Sequence, residues 1–391
     1  MATSLFRWTC LFIALCAVLL AVGGASAQTG ITPTFRDVEY ANVDGVPLLL
    51  ALYLPATDNG PAPVIVWIHG GGWRAGTKAG GPAARQSLRG YAVASINYRL
   101  SDVATHPAQI NDCKAAVRWL RAHADEYNLN PERIGAWGSS AGGHLAAFLG
   151  TSGDVAELEG DVGGNLQFSS RVQAVVDWYG PAELLTMDEQ ALPCSALCHT
   201  CADSPESLMV GCTIASCPDR ANEASPIHYV TSDEPPFLIH HGTNDCTVPP
   251  LQSQVLHDAL VASGVDVSLT FIEGAGHGGA GFAAPAISAE VDAFFDRVLL
   301  APEPPPPTAP EITGAEIRDR RLVVTGIRFA DGAVILVDGA VQKTSNDPVS
   351  PATTLRSRKA RKTIDRGETV SLTVRNPDGE MSEGFTYSRP Q

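Results

Sequence analysis

The sequence predicts an α/β protein, a mostly parallel sheet with helices on both faces, followed by a smaller all-β sandwich. Three observations carry that expectation. Short β-branched apolar stretches alternate with helical patterns as far as residue 300. A proline-rich run, APEPPPPTAP, fills residues 301–310 and is too poor in backbone donors to hold a helix or inner strand, so it reads as a stiff linker. Beyond it, residues 311–391 break into short apolar stretches parted by turns.

The strands are expected at residues 48–54, 64–69, 92–98, 133–137, 172–178, 237–241 and 267–272. Helical periodicity is clearest over 107–127, where Ile110, Cys113, Val117 and Leu120 share one face. It recurs over 140–150, 249–263 and 286–300. Strands joined through helices must run parallel, and ligands of such sheets sit where the strands' carboxyl ends open into loops.

Ahead of these elements, Arg7, an apolar run over 8–22 and Ala25-Ser26-Ala27 have the three-part layout of a secretory signal peptide, with cleavage expected after Ala27. A retained N-terminal anchor is the alternative, but the run is shorter than the ~20 residues that span a bilayer. Bulky Leu15 before Cys16 argues against lipid attachment there. These features predict a soluble exported protein, secreted or periplasmic and not transmembrane. The formal net charge is −15, with the acids concentrated before the linker, which disfavours nucleic acid as a partner. A basic cluster in the tail, Arg356, Arg358, Lys359, Arg361 and Lys362, reads as a solvated loop or strand edge, with contact to an anionic polymer or lipid headgroup as the alternative.

The loops after the strands carry the chemistry. Gly138-Ser139-Ser140-Ala141-Gly142 fits G-x-S-x-G between a strand and a helix, the pattern of a nucleophile elbow centred on Ser140. The turn is tight enough to demand glycine two places either side, and the amide of Ala141 would face an oxyanion formed at Ser140. After the strand at 64–69, His69-Gly70-Gly71-Gly72-Trp73 brings backbone without side chains, so the amides of Gly71 and Gly72 are candidates to complete the oxyanion hole. Asp245 follows the strand at 237–241 and His277 follows the strand at 267–272, which gives the chain order Ser, Asp, His. His69, His144, His240 and His241 are placed for structural roles, and Asp233 and Asp266 fall at strand starts, the wrong end of the sheet.

The segments WIHGGGW, GSSAGGHLAA, HGTNDCTVP and GAGHG resemble those of the α/β-hydrolase serine esterases, in particular the carboxylesterase branch with acetylxylan and feruloyl esterases of the BD-FAE type. The resemblance covers roughly residues 35–300. It implies a Ser140–His277–Asp245 triad, oxyanion donors Gly71, Gly72 and Ala141, carboxylic ester hydrolysis through an acyl-enzyme, and no metal or organic cofactor. Ser139 stands where the lipase-like relatives usually have Asp, which favours the carboxylesterase branch. Trp73 and Tyr179 are expected to help wall the substrate pocket. The substrate is expected to be a small or polysaccharide-linked ester with a short or aromatic acyl group. A general short-chain carboxylesterase or a formamidase is the near alternative, and a non-catalytic ligand-binding or adhesion protein the distant one.

One departure is an insertion at about 186–225 that contains Cys194, Cys198, Cys201, Cys212 and Cys217. It leaves a strand's carboxyl end and so can cover the site. Cys198-x-x-Cys201 beside His199 permits a metal reading, but crowded cysteines in an exported chain favour disulfides. Loss of Cys10 and Cys16 with the signal leaves an odd number, with Cys113 expected free and Cys246 expected to staple the insertion near Asp245. The tail pieces LVVTGIRFADGAVILVDG and VRNPDGEMSEGFTY resemble a TIG/IPT immunoglobulin-like domain, which implies spacing, adhesion or contact with carbohydrate or the cell surface, with a merely stabilising appendage as the alternative.

Overall fold

In the centre of the first sheet lies the stretch APVIVWI, which has no polar side chain and is buried along its whole length. Such a strand needs apolar cover on both faces. Its alternate residues supply it: Val64, Val66 and Ile68 join one core cluster, while Ile65 and Trp67 join another. The computed structural model describes residues 30–56, 60–300, 309–319, 321–357 and 364–391. The expected signal peptide, most of the linker, and Arg358, Lys359, Arg361 and Lys362 lie outside the described residues.

Eight strands form this sheet: β1 Phe35–Val43, β2 Val46–Tyr53, β3 Ala62–Ile68, β4 Ala92–Ile96, β5 Leu129–Ser139, β6 Ala174–Trp178, β7 Phe237–Gly242 and β8 Val267–Ile272. Their order is β1-β2-β4-β3-β5-β6-β7-β8. From β4 to β8 every pairing is parallel, whereas β1–β2 and β2–β4 are antiparallel. The helices Ala108–Ala122, Ala141–Thr151 and Leu251–Ala262 contribute to the first cluster and Pro285–Phe295 to the second, so helices cover both faces.

Two of the differences from the sequence expectation have a local cause in the structure. The pattern at 107–127 is two helices, Ala108–Ala122 and Ala124–Tyr127. Between them, His123 leaves helical geometry, stacks on Trp119 at 4.2 Å and bonds the Trp119 carbonyl through Nδ1. β5 begins at Leu129 rather than 133, because Leu129 pairs with Ala62 ahead of a register shift that accommodates the polar residues between.

The chain divides into two compact units at Ala301/Pro302. In the second, β9 Glu311–Arg318, β10 Arg321–Ile327, β13 Thr344–Asn346 and β14 Thr354–Ser357 form one four-stranded sheet, and β11 Val334–Val337, β12 Ala340–Val341, β15 Thr369–Arg375 and β16 Phe385–Ser388 form another. All their pairings are antiparallel. Leu322, Val324 and Leu355 of one sheet share a core with Ile335, Leu372 and Val374 of the other, which makes a β-sandwich. Arg356, of the basic cluster, lies in β14 and pairs with Asp347.

Candidate active site

Ser140 sits between β5 and the helix Ala141–Thr151 with φ 56° and ψ −124°, a conformation costly for a residue with a side chain. The surroundings hold it there. Its amide donates to the Trp178 carbonyl at 2.8 Å, and its own carbonyl accepts from His144 N at 2.9 Å. The flanking glycines answer the tightness of the turn: a Cβ at 138 would stand 2.0 Å from the Gly142 carbonyl oxygen, and one at 142 would stand 2.1 Å from that of Ile68.

The Ser140 hydroxyl donates to His277 Nε2 at 2.8 Å, and His277 Nδ1–H donates to Asp245 Oδ2 at 2.7 Å. An ionised Asp245 can only accept, which places the imidazole proton on Nδ1 and leaves Nε2 a base toward Ser140. Asp245 is fully buried, and its Oδ1 accepts from the amides of Thr247 and Val248 at 2.8 and 3.0 Å. Burial pushes this carboxyl up, but hydrogen bonds from His241 and His277 outweigh it and hold it well below the usual range.

His241 is the partner that sequence reasoning missed. Its Nε2 lies 3.0 Å from the Val248 carbonyl and 3.3 Å from Asp245 Oδ2, both acceptors, so Nε2 carries the proton and Nδ1 accepts from the Ser253 hydroxyl at 2.6 Å. The other rival histidines, His69, His144 and His240, are bonded away from Ser140. His69 donates to the Gly70 carbonyl and stacks on Tyr98, and His144 donates to Ala224, with burial pushing its pKa down to about 4. His240 accepts from the Trp178 indole and donates to Glu290. Asp233 and Asp266 are exposed and paired with Arg171 and Arg297.

A cavity of about 680 Å³ opens at these residues, within the range of small-molecule sites. Gly71, Gly72, Trp73, Ser140, Ala141, Tyr179 and His277 all line it. Gly71 and Gly72 have φ of 119° and 60°, and a Cβ on Gly71 would stand 2.2 Å from the Ala75 carbonyl oxygen, so this loop needs glycine there. Ala141 is the first residue of its helix, where amides have no partner in the helical ladder. Trp73 is only 2% exposed, its ring edge-on to His144 at 5.1 Å, so it is as much core as wall. Tyr179 stands edge-on to His277 at 4.7 Å; burial, partly opposed by a hydrogen bond with Ser139, pushes its hydroxyl up to about 12.

The insertion also reaches the cavity, through Leu197, His199, Pro205 and Glu206. Disulfides join Cys194 to Cys246, Cys198 to Cys201, and Cys212 to Cys217, while Cys113 is free and buried. Cys198 and Cys201 are thus bonded to each other, which removes the thiolates a metal would need.

A serine on a strand–turn–helix elbow, with a histidine and an acid from the loops after β8 and β7, is the arrangement of a serine α/β-hydrolase. The chain belongs to the BD-FAE family, whose model matches residues 50–260, just over half of it. It is 34% identical over 222 residues to the esterase LipC of Mycobacterium tuberculosis, covering 56% of this chain and 53% of that protein. The chain spans about half the length of the curated relatives it matches. A truncated carbohydrate esterase from gut microbiota is 33% identical with a TM-score of 0.63, covering 69% of this chain and 98% of that one. Esterase 2 of Thermogutta terrifontis, phosphonylated by sarin, is 28% identical with a TM-score of 0.58, covering 70% of this chain and 98% of that one. Among the described residues no helix is long and apolar enough to cross a membrane.

Proposed function

We propose that this protein is an exported serine esterase that removes short or aromatic acyl groups from carbohydrate through an acyl-enzyme at Ser140. The observation that carries the reading is the unbroken relay from the Ser140 hydroxyl through His277 to buried Asp245 at the mouth of a cavity. Ser140 Oγ attacks the acyl carbon as His277 Nε2 takes its proton, and Asp245 stabilises the imidazolium that results. The amides of Ala141, Gly71 and Gly72 receive the oxyanion. When the tetrahedral species collapses, the imidazolium returns its proton to the departing alcohol oxygen. Water then enters, gives its proton to His277 and attacks the acyl carbon; collapse frees the acid and reprotonates Ser140.

A carbohydrate esterase among the structural relatives supports a sugar-borne ester as substrate. The test joins a Ser140→Ala and Ser139→Ala pair to a chain-length series of p-nitrophenyl esters, with acetylated xylan and methyl ferulate alongside. Ser140→Ala should lose on the order of 10⁴-fold or more in kcat, while Ser139→Ala retains much of it. Acetate and butyrate should be cleaved well, chains beyond about eight carbons poorly, and acetate or ferulate released from the natural esters. Equal loss in both variants would refute the register, and a maximum at long chains would refute the acyl preference.

A further inference from the structure

His199 and Glu206 take no part in the relay, yet both line the cavity into which Ser140 opens. They are 2% and 4% exposed, and His199 Nδ1 lies 3.0 Å from Glu206 Oε1. Their other polar atoms, His199 Nε2 and Glu206 Oε2, are buried with no hydrogen-bond partner among the described residues. Two unmet polar atoms on one paired unit are costly to the fold, and in residues that line a substrate cavity they are groups a ligand's hydroxyls can satisfy.

The unit is also held stiffly. The Cys198–Cys201 disulfide brackets His199, and Asp188 accepts from the amides of His199 and Thr200 at 2.6 and 2.9 Å. Ser204 caps the helix Pro205–Val210 by accepting from Ser207 N at 3.0 Å, which fixes Glu206 in its first turn. Burial lowers the His199 pKa, but the hydrogen bond to Glu206 and the charges of Glu206 and Asp188 outweigh it and raise it. The pair therefore offers a carboxylate acceptor beside an imidazole able to donate.

We infer that His199 and Glu206 form a subsite for the alcohol half of the ester, binding two hydroxyl groups of a sugar through Nε2 and Oε2. The inference rests on the esterase reading of Ser140 and deepens it. An acetyl or other short alkyl acyl group carries nothing that could meet these atoms. Sugar hydroxyls both donate and accept, so they satisfy the pair whichever atom holds the imidazole proton.

The test compares a monoacetylated methyl xyloside with ethyl acetate, which share an acyl group and differ in the alcohol's free hydroxyls. In Glu206→Gln and in His199→Phe, the ratio of kcat/KM for the xyloside ester to kcat/KM for ethyl acetate should fall about tenfold or more. In parallel, methyl xyloside is titrated calorimetrically into the full-length wild type and both variants, which should lose about tenfold in affinity. Should one variant fail to fold, the other carries the comparison. A ratio and an affinity that both stay at the wild-type value, whether or not overall turnover drops, overturn the subsite and leave the esterase reading intact. Sensitive xyloside binding in a wild type that cleaves neither ester would keep the subsite and overturn the esterase reading. A selective fall on methyl ferulate alone would place the pair on the acyl side and overturn the inference.

Discussion

Replacing Asp245 by Asn tests the relay at its most constrained point. Four donors converge on the carboxylate: Thr247 N and Val248 N on Oδ1 at 2.8 and 3.0 Å, and His277 Nδ1 and His241 Nε2 on Oδ2 at 2.7 and 3.3 Å. An amide group of the same shape must present its NH₂ to one of these pairs. Turned toward the backbone, it opposes two fixed N–H groups and opens the loop. Turned toward the histidines, it obliges His277 to accept at Nδ1, which moves the ring proton to Nε2 and blocks the atom that must take the proton of Ser140. The corresponding change in a serine-protease triad costs about 10⁴ in kcat, or about 5.4 kcal/mol of transition-state stabilisation. We expect a loss of that order in kcat for p-nitrophenyl acetate, accompanied by slow labelling of Ser140 by an organophosphate. A variant within tenfold of wild type in both measurements would remove Asp245 from the relay.

Two further expectations concern stability. The Cys194–Cys246 bond closes a loop with a sequence separation of 52, for which chain entropy gives about 4 kcal/mol, so the Cys194→Ser/Cys246→Ser double variant should lose roughly 2–4 kcal/mol in urea unfolding; a loss under about 0.5 kcal/mol would refute the entropic reading. Asp177 is fully buried behind the elbow, with Oδ2 unpartnered, and burial raises its pKa from 3.8 to about 6 against the opposing Gly180 amide and His241. Because the folded value is raised, its contribution is fully present below the unfolded pKa and is lost as pH rises through about 6. Wild-type stability minus that of Asp177→Asn should therefore fall by about 2 kcal/mol between pH 4 and 7.5, and a flat difference would mean that Asp177 is ionised throughout.

The parallel core of the fold was legible because strands such as APVIVWI, buried on both faces, are continuous apolar runs that no surface element imitates. β1 was not singled out. FRDVEYANV is an edge strand with mostly exposed side chains, paired on one side only, so nothing obliges it to look apolar. Ser140, Asp245 and His277 stood out because each sits in a loop after a strand, at positions that the alternating pattern assigns to one end of the sheet. The contact between His241 and Asp245 was hidden: His241 lies within β7, and only the turn after that strand brings Asp245 back against its ring. The pairing of His199 with Glu206 was likewise invisible, since the run CHTC drew attention to its cysteines. The clue available was a histidine and an acid flanking the Ser204-Pro205 helix start within a cysteine-rich insertion.

β8, the strand that leads to His277, lies at the sheet's open border, and none of its residues is fully buried, whereas the elbow bearing Ser140 rises from the well-covered β5. Border strands fray at a lower free energy than central ones. The proton acceptor is thus hung from an edge strand and the nucleophile from a covered inner one. If β8 opens first on warming, turnover is lost at a lower temperature than the interior unfolds and returns on cooling; coincident loss of activity and of near-UV circular dichroism would refute this.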